Sequence, residues 1–247
     1  MANWSDPRTI GAVPGVNVGT QDAAFDAGLR SYMLSVYNYM ASGVLLTGIV
    51  ALLFAKSGFA SLLLGPTGGF STLGLIAAFS PLAFVLVMSF GLNKLSTPAV
   101  QACFWAYAAV MGISMSTFFL RFTGESIAQT FFATAAAFAG LSLYGYTTKK
   151  DLSGMGTFLI MGVVGLLVAI IVNIFLKSSV MHYVISAVGV LIFAGLTAYD
   201  TQRIKSMYSY VAGTDMVGKT VVMGALSLYL DFINMFQFLL SFLGSRD

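Results

Sequence analysis

The sequence predicts an all-α fold, a bundle of seven transmembrane helices, and three observations lead to it. The 247 residues are 58% hydrophobic and only 9% charged, with a mean hydropathy of +0.89, whereas soluble domains are close to one-quarter charged. Seven apolar blocks each approach the ~20 residues that a helix needs to cross a bilayer. Because no water reaches the bilayer core, each block must satisfy its own backbone hydrogen bonds as a helix.

The blocks follow one another with mostly short connections, so we expect a single membrane domain over residues 31–247. Only the first connection and the last, residues 200–219, are long. Residues 1–30 show no hydrophobic periodicity and contain Pro and Gly, and we interpret them as a flexible cytosolic arm. The predicted spans, in order, are 31–55, 73–92, 99–120, 127–146, 156–176, 180–199 and 220–243.

The orientation follows from the Lys and Arg residues outside the spans. Eight of them fall on the side of the N-terminus and four on the other side. The positive-inside rule therefore predicts a cytoplasmic N-terminus. The C-terminus then emerges on the opposite side unless the last helix stops partway.

Composition also excludes several classes of function. The net charge is +3 and the longest run of cations is the pair Lys149-Lys150, which is too little for a nucleic-acid surface. The chain has one histidine, His182, and one cysteine, Cys103, so a zinc or iron–sulfur site has too few ligands. No sequence motif of a protease or nucleotide-binding enzyme occurs, and we predict neither catalysis nor a resident cofactor.

The seventh block, 226-LSLYLDFINMFQFLL-240, carries Asp231 near its middle. A charged side chain at the centre of a membrane helix costs roughly 2.5–3.5 kcal/mol on insertion scales. At 100° per residue, the polar side chains of this block share one arc of about 120°, which must face protein or water rather than lipid. The residues on this arc are Ser227, Asp231, Asn234, Gln237 and Ser241.

A second carboxylate, Asp200, follows Thr197 at the predicted end of the sixth span. A rise of 1.5 Å per residue puts Asp231 ~15 Å below the surface and Asp200 at a shallower depth. The two meet only if the sixth helix continues past Asp200 or the seventh begins higher.

Three interpretations of the carboxylates remain open at this point. Asp200 begins a solvated loop and pairs with Arg203 at i+3; or Asp231 is a protonated structural group held by Asn or Ser neighbours; or both line a hydrated path. In the last case, they share protons as a coupled unit and attract a hard cation such as Ca²⁺.

Four stretches of the chain resemble the Bax inhibitor family, the transmembrane Bax-inhibitor-motif proteins, and especially its bacterial branch. They are AGLRSYMLSVYNYM, YGYTTKKDLS, FAGLTAYDTQRIK and ALSLYLDFINMFQFLL, which together extend from residue 27 to residue 240. The resemblance implies six helices around a central C-terminal helix. It also implies that Asp200 and Asp231 form a proton-sensitive pair near the cytoplasmic end of a pore that leaks Ca²⁺.

The second helix is one point at which the sequence departs from the family. Some members place an arginine in the second helix as a latch on the first aspartate, but 73-LGLIAAFSPLAFVLVMSFGLN-93 contains none. Lys94, just past that helix, is the nearest possible substitute.

Our leading hypothesis is a passive, pH-sensitive cation (Ca²⁺) leak in a bacterial inner membrane. Asp200 and Asp231 would bind Ca²⁺ weakly, with Thr197, Ser227, Asn234 and Gln237 as a supporting polar seam. The partners would be the lipid bilayer, calcium ions and protons. One alternative is a regulatory protein that binds a membrane partner such as a membrane protease, and another is a proton-coupled transporter.

Overall fold

The computed structural model describes residues 18–65, 69–91 and 94–245. Within these ranges the chain forms seven long α-helices, two short 3₁₀ helices at Phe59–Leu63 and Ser116–Leu120, and one isolated bridge between Leu64 and Phe70. All seven long helices are long and apolar enough to cross a membrane. Their bounds are α1 Val18–Lys56, α2 Thr72–Gly91, α3 Thr97–Met115, α4 Gly124–Thr147, α5 Ser153–Leu176, α6 Ser179–Val211 and α7 Val217–Leu243.

The all-α prediction with seven spans is confirmed, and two helices are longer than the sequence predicts. Helix α1 begins at Val18, so residues 18–30, which the sequence analysis assigns to the arm, are helical. Residues 1–17 lie outside the described part of the chain. Helix α6 ends at Val211 rather than near residue 199, so the prediction of a long last connection over 200–219 is wrong: residues 212–216 alone join α6 to α7.

Helix α7 occupies the centre of the bundle. It packs mainly against α6, α1, α4 and α3, while α2 packs chiefly on α3 and α5 on α6. Leu228, Met235 and Leu240 are almost completely buried by neighbouring helices, whereas apolar side chains facing lipid would be uncovered. The central position of the C-terminal helix therefore agrees with the family resemblance, with α2 and α5 at the periphery.

Helix α7 crosses the whole bundle. Its C-terminal end reaches the start of α4, where the backbone N–H of Thr123 donates to the carbonyl of Ser245 at 3.2 Å and the N–H of Ser245 donates to Ser126 Oγ at 3.0 Å. We call the side where α1 begins, and where α4 meets α5 and α6 meets α7, the N-terminal face. Helix α7 ends at the opposite face.

On the N-terminal face, α1 and α6 extend together beyond the length that a bilayer requires. At 1.5 Å per residue, the 33 residues of α6 span about 50 Å, against a hydrocarbon core of about 30 Å. The ring of Tyr208 near the end of α6 packs on Phe25 and Tyr32 of α1, with centroids 5.1 and 5.3 Å apart. These contacts explain why both helices continue past the membrane.

Two local features adapt helices to the apolar bundle: one satisfies a backbone carbonyl beside a proline, and the other allows two helices to pack closely. Pro81 lies within α2 and has no N–H for the carbonyl of Ala77; the hydroxyl of Ser80 donates to that carbonyl instead, at 3.1 Å. Gly145 of α4 lies directly against the backbone of Ala198 in α6, where a Cβ would collide. This close approach brings α4 beside the segment of α6 that carries Asp200.

Candidate functional site

Asp231 lies in the middle of α7 and is only 3% exposed. Its Oδ2 atom is fully buried and has no hydrogen-bond partner among the described residues. Most buried polar side-chain atoms in proteins are hydrogen-bonded, and an unsatisfied one costs about 1–3 kcal/mol, or more for a charged group. Asp231 therefore lowers the stability of the fold, and packing alone does not explain its presence.

Asp200 lies inside α6, not at the start of a loop. Its side chain is 15% exposed, and its Oδ1 is 3.9 Å from Nη1 of Arg203, whose side chain is 56% exposed. The alternative in which Asp200 begins a solvated loop is thereby excluded, although the predicted i+3 pairing with Arg203 is present. At 3.9 Å this is a long ion pair with one exposed partner, and such pairs contribute little to stability.

Asp200 lies close enough to Asp231 for an electrostatic interaction, and Arg203 is close enough to interact with Asp200 in the same way. Asp200 is about 16 Å from the end of α6 at Val211, and Asp231 is about 21 Å from the start of α7 at Val217, at 1.5 Å per residue. Because α6 continues past Asp200, the two residues come to similar depths on neighbouring antiparallel helices.

The possible latch, Lys94, lies exposed in the turn after α2. Among the described residues, the ion-pair partner of Asp200 is Arg203 rather than Lys94. The cation next to the acidic pair thus comes from α6 itself.

The predicted polar seam is only partly engaged with the protein. Thr197 is buried and its hydroxyl donates to the carbonyl of Phe193 at 2.8 Å, while the amide of Asn234 donates to the carbonyl of Leu230 at 2.8 Å. Both bonds stay within one helix. The half-buried residues of α7 recur every three or four positions and define its least covered face; they include Ser227, Leu230, Asn234, Gln237 and Ser241. Asp231 borders this face but is itself buried.

A chain of hydroxyl groups, which the sequence analysis missed, joins α1, α4 and α6 beside the pair. The hydroxyl of Tyr37 and Oγ of Ser142 are 2.6 Å apart, and Oγ of Ser142 is 3.0 Å from Oγ1 of Thr201. Thr201 in turn donates to the carbonyl of Thr197 at 2.8 Å. Tyr37, Ser142 and Thr201 belong to three different helices, and no periodic pattern in the sequence links them. Only the packing of the helices reveals this chain.

The segment that follows Asp200 also fixes the connection between α4 and α5. Gln202 accepts a hydrogen bond from the N–H of Leu152 and donates one to the carbonyl of Lys150, both at 2.8 Å. Lys205 donates to the carbonyl of Tyr146 at 2.8 Å and lies 4.7 Å from the centre of the Tyr146 ring. These bonds join two of the stretches that carry the family resemblance, YGYTTKKDLS and FAGLTAYDTQRIK. That resemblance was the feature of the sequence that pointed to these residues.

Asp151 stands in this connection, outside the membrane-spanning segments. The hydrogen bonds that it accepts from Ser153, including one from the backbone N–H at 2.9 Å, hold its pKa below the ordinary value for an aspartate. Its carboxylate is exposed to solvent and stabilises the first turn of α5. The carboxylates of Asp200 and Asp231, in contrast, lie inside the bundle.

The described residues contain no group of three or more His, Cys, Asp or Glu side chains close enough to hold a metal ion. Two carboxylates alone fall short of the 6–8 oxygen ligands of a tight calcium site. Any cation held at Asp200 and Asp231 would therefore complete its coordination with water or backbone carbonyls.

Comparison with known proteins places the chain in context. Residues 29–247 match the family model described as inhibitor of apoptosis-promoting Bax1. An uncharacterized protein of Caulobacter vibrioides is 48% identical over 238 residues, which cover 91% of this chain and 92% of the relative. The Escherichia coli inner membrane protein YbhL is 44% identical over 222 residues, covering 89% and 94% respectively.

Proposed function

The chain belongs to the Bax inhibitor family, and on that premise we propose that it is a pH-sensitive passive leak pathway for Ca²⁺ in a bacterial inner membrane. Asp200 and Asp231 form the ion path and its proton sensor. The observation that carries the proposal is the buried Oδ2 of Asp231, which has no partner among the described residues and lies on a helix packed against α6, which carries a second carboxylate, Asp200.

Two neighbouring carboxylates in an apolar bundle are a site for a positive charge. Their mutual repulsion is relieved when a proton or a cation is shared between them, so the two compete for the same place. In the deprotonated pair the oxygens attract Ca²⁺, and protonation removes that attraction. Because only two carboxylates contribute, binding is weak and the ion leaves quickly, as conduction requires.

The location also supports a leak. Asp231 lies on the central helix α7 and borders its least covered face, which carries Ser227, Asn234 and Gln237, while Asp200 lies on the neighbouring α6. Polar side chains in a membrane helix face the bundle interior or a water-filled cavity rather than lipid, which is compatible with a hydrated path along this face. The name of the E. coli relative refers to the inner membrane, and the excess of Lys and Arg on the N-terminal face predicts that this face is cytoplasmic.

The experiment is Ca²⁺ flux into dye-loaded proteoliposomes between pH 6 and pH 8. Wild type is compared with Asp231→Asn and Asp200→Asn, and with Asp215→Asn as a matched control in the exposed turn between α6 and α7. We expect wild-type and Asp215→Asn flux to vary with pH in the same way. The two variants in the pair should lose the pH dependence, and Asp231→Asn should lower flux at pH 8 about tenfold, equal to about 1.4 kcal/mol of barrier.

Equal flux from wild-type and protein-free liposomes, with the protein shown to be folded, would contradict the proposal. Accumulation of Ca²⁺ against its gradient when a pH gradient is applied would replace the leak by proton-coupled transport. A partner-binding regulator would instead lose its activity when residues 2–17 are deleted and tolerate Asp231→Asn, whereas the leak should tolerate the deletion.

A further inference from the structure

A polar cleft of about 330 Å³ opens on the N-terminal face between the start of α5 and the last turns of α6. Three cations line it: Lys149, Lys150 and Arg203. The proposed ion path does not use the two lysines, and they are exposed. The cleft therefore presents concentrated positive charge that has no assigned purpose.

The cleft is rigid because its two walls are joined by side-chain bonds. Gln202 of α6 holds the peptide groups of Lys150 and Leu152 through two bonds of 2.8 Å. Tyr199 packs against Gly156 of α5, where a Cβ would collide with the ring. The backbone that carries the lysines is thus fixed against the helix that carries Arg203, and like charges stay together although they repel.

One acidic side chain also lines the cleft, but it is already engaged. Oδ1 of Asp151 accepts a hydrogen bond from the N–H of Ser153, the first residue of α5, at 2.9 Å. Counting Lys149, Lys150 and Arg203 against Asp151 gives a formal charge of +2 (three minus one) for the lining. The two hydroxyl groups of the lining are also engaged, since Ser206 donates to the carbonyl of Arg203 at 2.8 Å and Ser153 bonds to Asp151, which leaves the cationic side chains as the donors for a ligand.

We propose that this cleft binds a phosphate-bearing anion, supplied by the headgroup of an anionic phospholipid or by free phosphate, and that Arg203 is shared between this anion and Asp200. Phosphate oxygens match the donors that Lys and Arg side chains offer. The position suits a lipid headgroup, since clusters of Lys and Arg at the cytoplasmic membrane surface attract anionic lipids.

The sharing of Arg203 makes the two sites linked. Its guanidinium is 3.9 Å from Oδ1 of Asp200, and its side chain, which is 56% exposed, also lines the cleft. A bound anion therefore weakens the contact between Arg203 and Asp200, and removal of the Asp200 charge strengthens anion binding by the same free energy.

Binding is measured on purified full-length protein in an uncharged detergent at constant ionic strength, without any flux assay, so the outcome does not depend on the proposed leak. One arm titrates fluorescently labelled phosphatidylglycerol, with phosphatidylcholine for comparison; the other titrates inorganic phosphate by calorimetry. We expect the variant Lys149→Gln/Lys150→Gln/Arg203→Gln to bind at least about tenfold more weakly than wild type, because three cations are removed. The control Lys56→Gln/Lys177→Gln, which removes two exposed cations from the opposite face, should match wild type.

Loss of phosphatidylglycerol binding in the triple variant, with little binding of inorganic phosphate, identifies a lipid headgroup as the source. Tight binding of inorganic phosphate that the triple variant loses identifies free phosphate. Equal binding of both probes by wild type and the triple variant overturns the site, as does an equal loss in the control.

The linkage has its own test. Asp200→Asn should bind the same anion about fivefold more tightly, the lower end of typical coupling between linked sites. Glu125→Gln makes the same change in net charge at the start of α4 on the opposite face and should leave the affinity unchanged. If the two variants behave alike, Arg203 is not shared.

Discussion

Two buried residues of α7, Tyr229 and Asp231, differ in whether their polar atoms find hydrogen-bond partners in the bundle. Both are buried, with exposures of 0% and 3%. The hydroxyl of Tyr229 is 2.6 Å from Oγ1 of Thr47, which also donates to the carbonyl of Ala108 at 2.8 Å. Oδ2 of Asp231 has no such partner in the described ranges.

The difference separates a buried polar group that has a hydrogen-bond partner from one that has none among the described residues. Tyr229 points towards α1 and α3, where the rings of Phe104 and Tyr107 meet it edge-on at 6.1 and 5.3 Å. Asp231 interacts electrostatically with Asp200 of α6. The contrast concerns these two residues rather than two whole faces, since the Tyr107 hydroxyl also lacks a partner among the described residues. A neutral phenol left unpaired costs far less than a carboxylate.

The largest effect on stability is expected from Tyr229→Ala. The truncation removes a fully buried ring from the contacts of α1, α3 and α7, and comparable aromatic truncations cost about 3–5 kcal/mol. Reversible unfolding in mixed detergent micelles measures the loss. Ca²⁺ flux per folded molecule should stay near the wild-type level; a loss of the pH dependence would place Tyr229 in the ion path and break the distinction.

Replacing Asp231 with leucine should have the opposite pair of consequences. The change removes a buried polar atom, Oδ2, that has no hydrogen-bond partner among the described residues, and with it a desolvation cost of about 1–3 kcal/mol. We therefore expect Asp231→Leu to unfold at the same or a higher denaturant concentration while losing flux. A marked destabilisation would show that Asp231 is structural, like Tyr229.

A double-mutant cycle at Tyr229 and Thr47 sharpens the comparison further. The single changes Tyr229→Phe and Thr47→Val and the double variant isolate the energy of the hydroxyl pair. Interhelical hydrogen bonds in membrane proteins average about 0.6 kcal/mol, and we expect a coupling energy of that size. A value near zero would mean that packing of the rings, rather than the hydrogen bond, fixes Tyr229.

The smallest effect is expected at Asp151, a carboxylate that is exposed and has a partner. Because its pKa is lowered in the folded protein, its contribution to stability is fully present above about pH 4, the ordinary pKa of an aspartate. That contribution disappears as the pH falls through the lowered pKa. Asp151→Asn should therefore lower the Tm slightly at pH 7, and by progressively less as the pH falls below about 4; an equal difference at pH 7 and at acidic pH would assign the effect to something other than the charge.

The sequence by itself determined the membrane class, the seven spans and both acidic residues. Hydropathy is summed along the chain, and a helix in lipid needs only its own backbone hydrogen bonds, so these properties can be read without knowledge of neighbours. For the same reason the sequence could mark Asp231 as costly before any partner was known, since the cost comes from the apolar block around it.

Tertiary structure decided where the carboxylates lie relative to each other. The polar sequence after Asp200 indicates a loop, yet Gln202, Lys205 and Tyr208 bond or pack against α1 and the connection between α4 and α5, and these contacts keep α6 helical to Val211. Only that continuation brings Asp200 to the depth of Asp231. The same contacts gather Lys149, Lys150 and Arg203 around one cleft, because charges distant in the chain become neighbours only through helix packing.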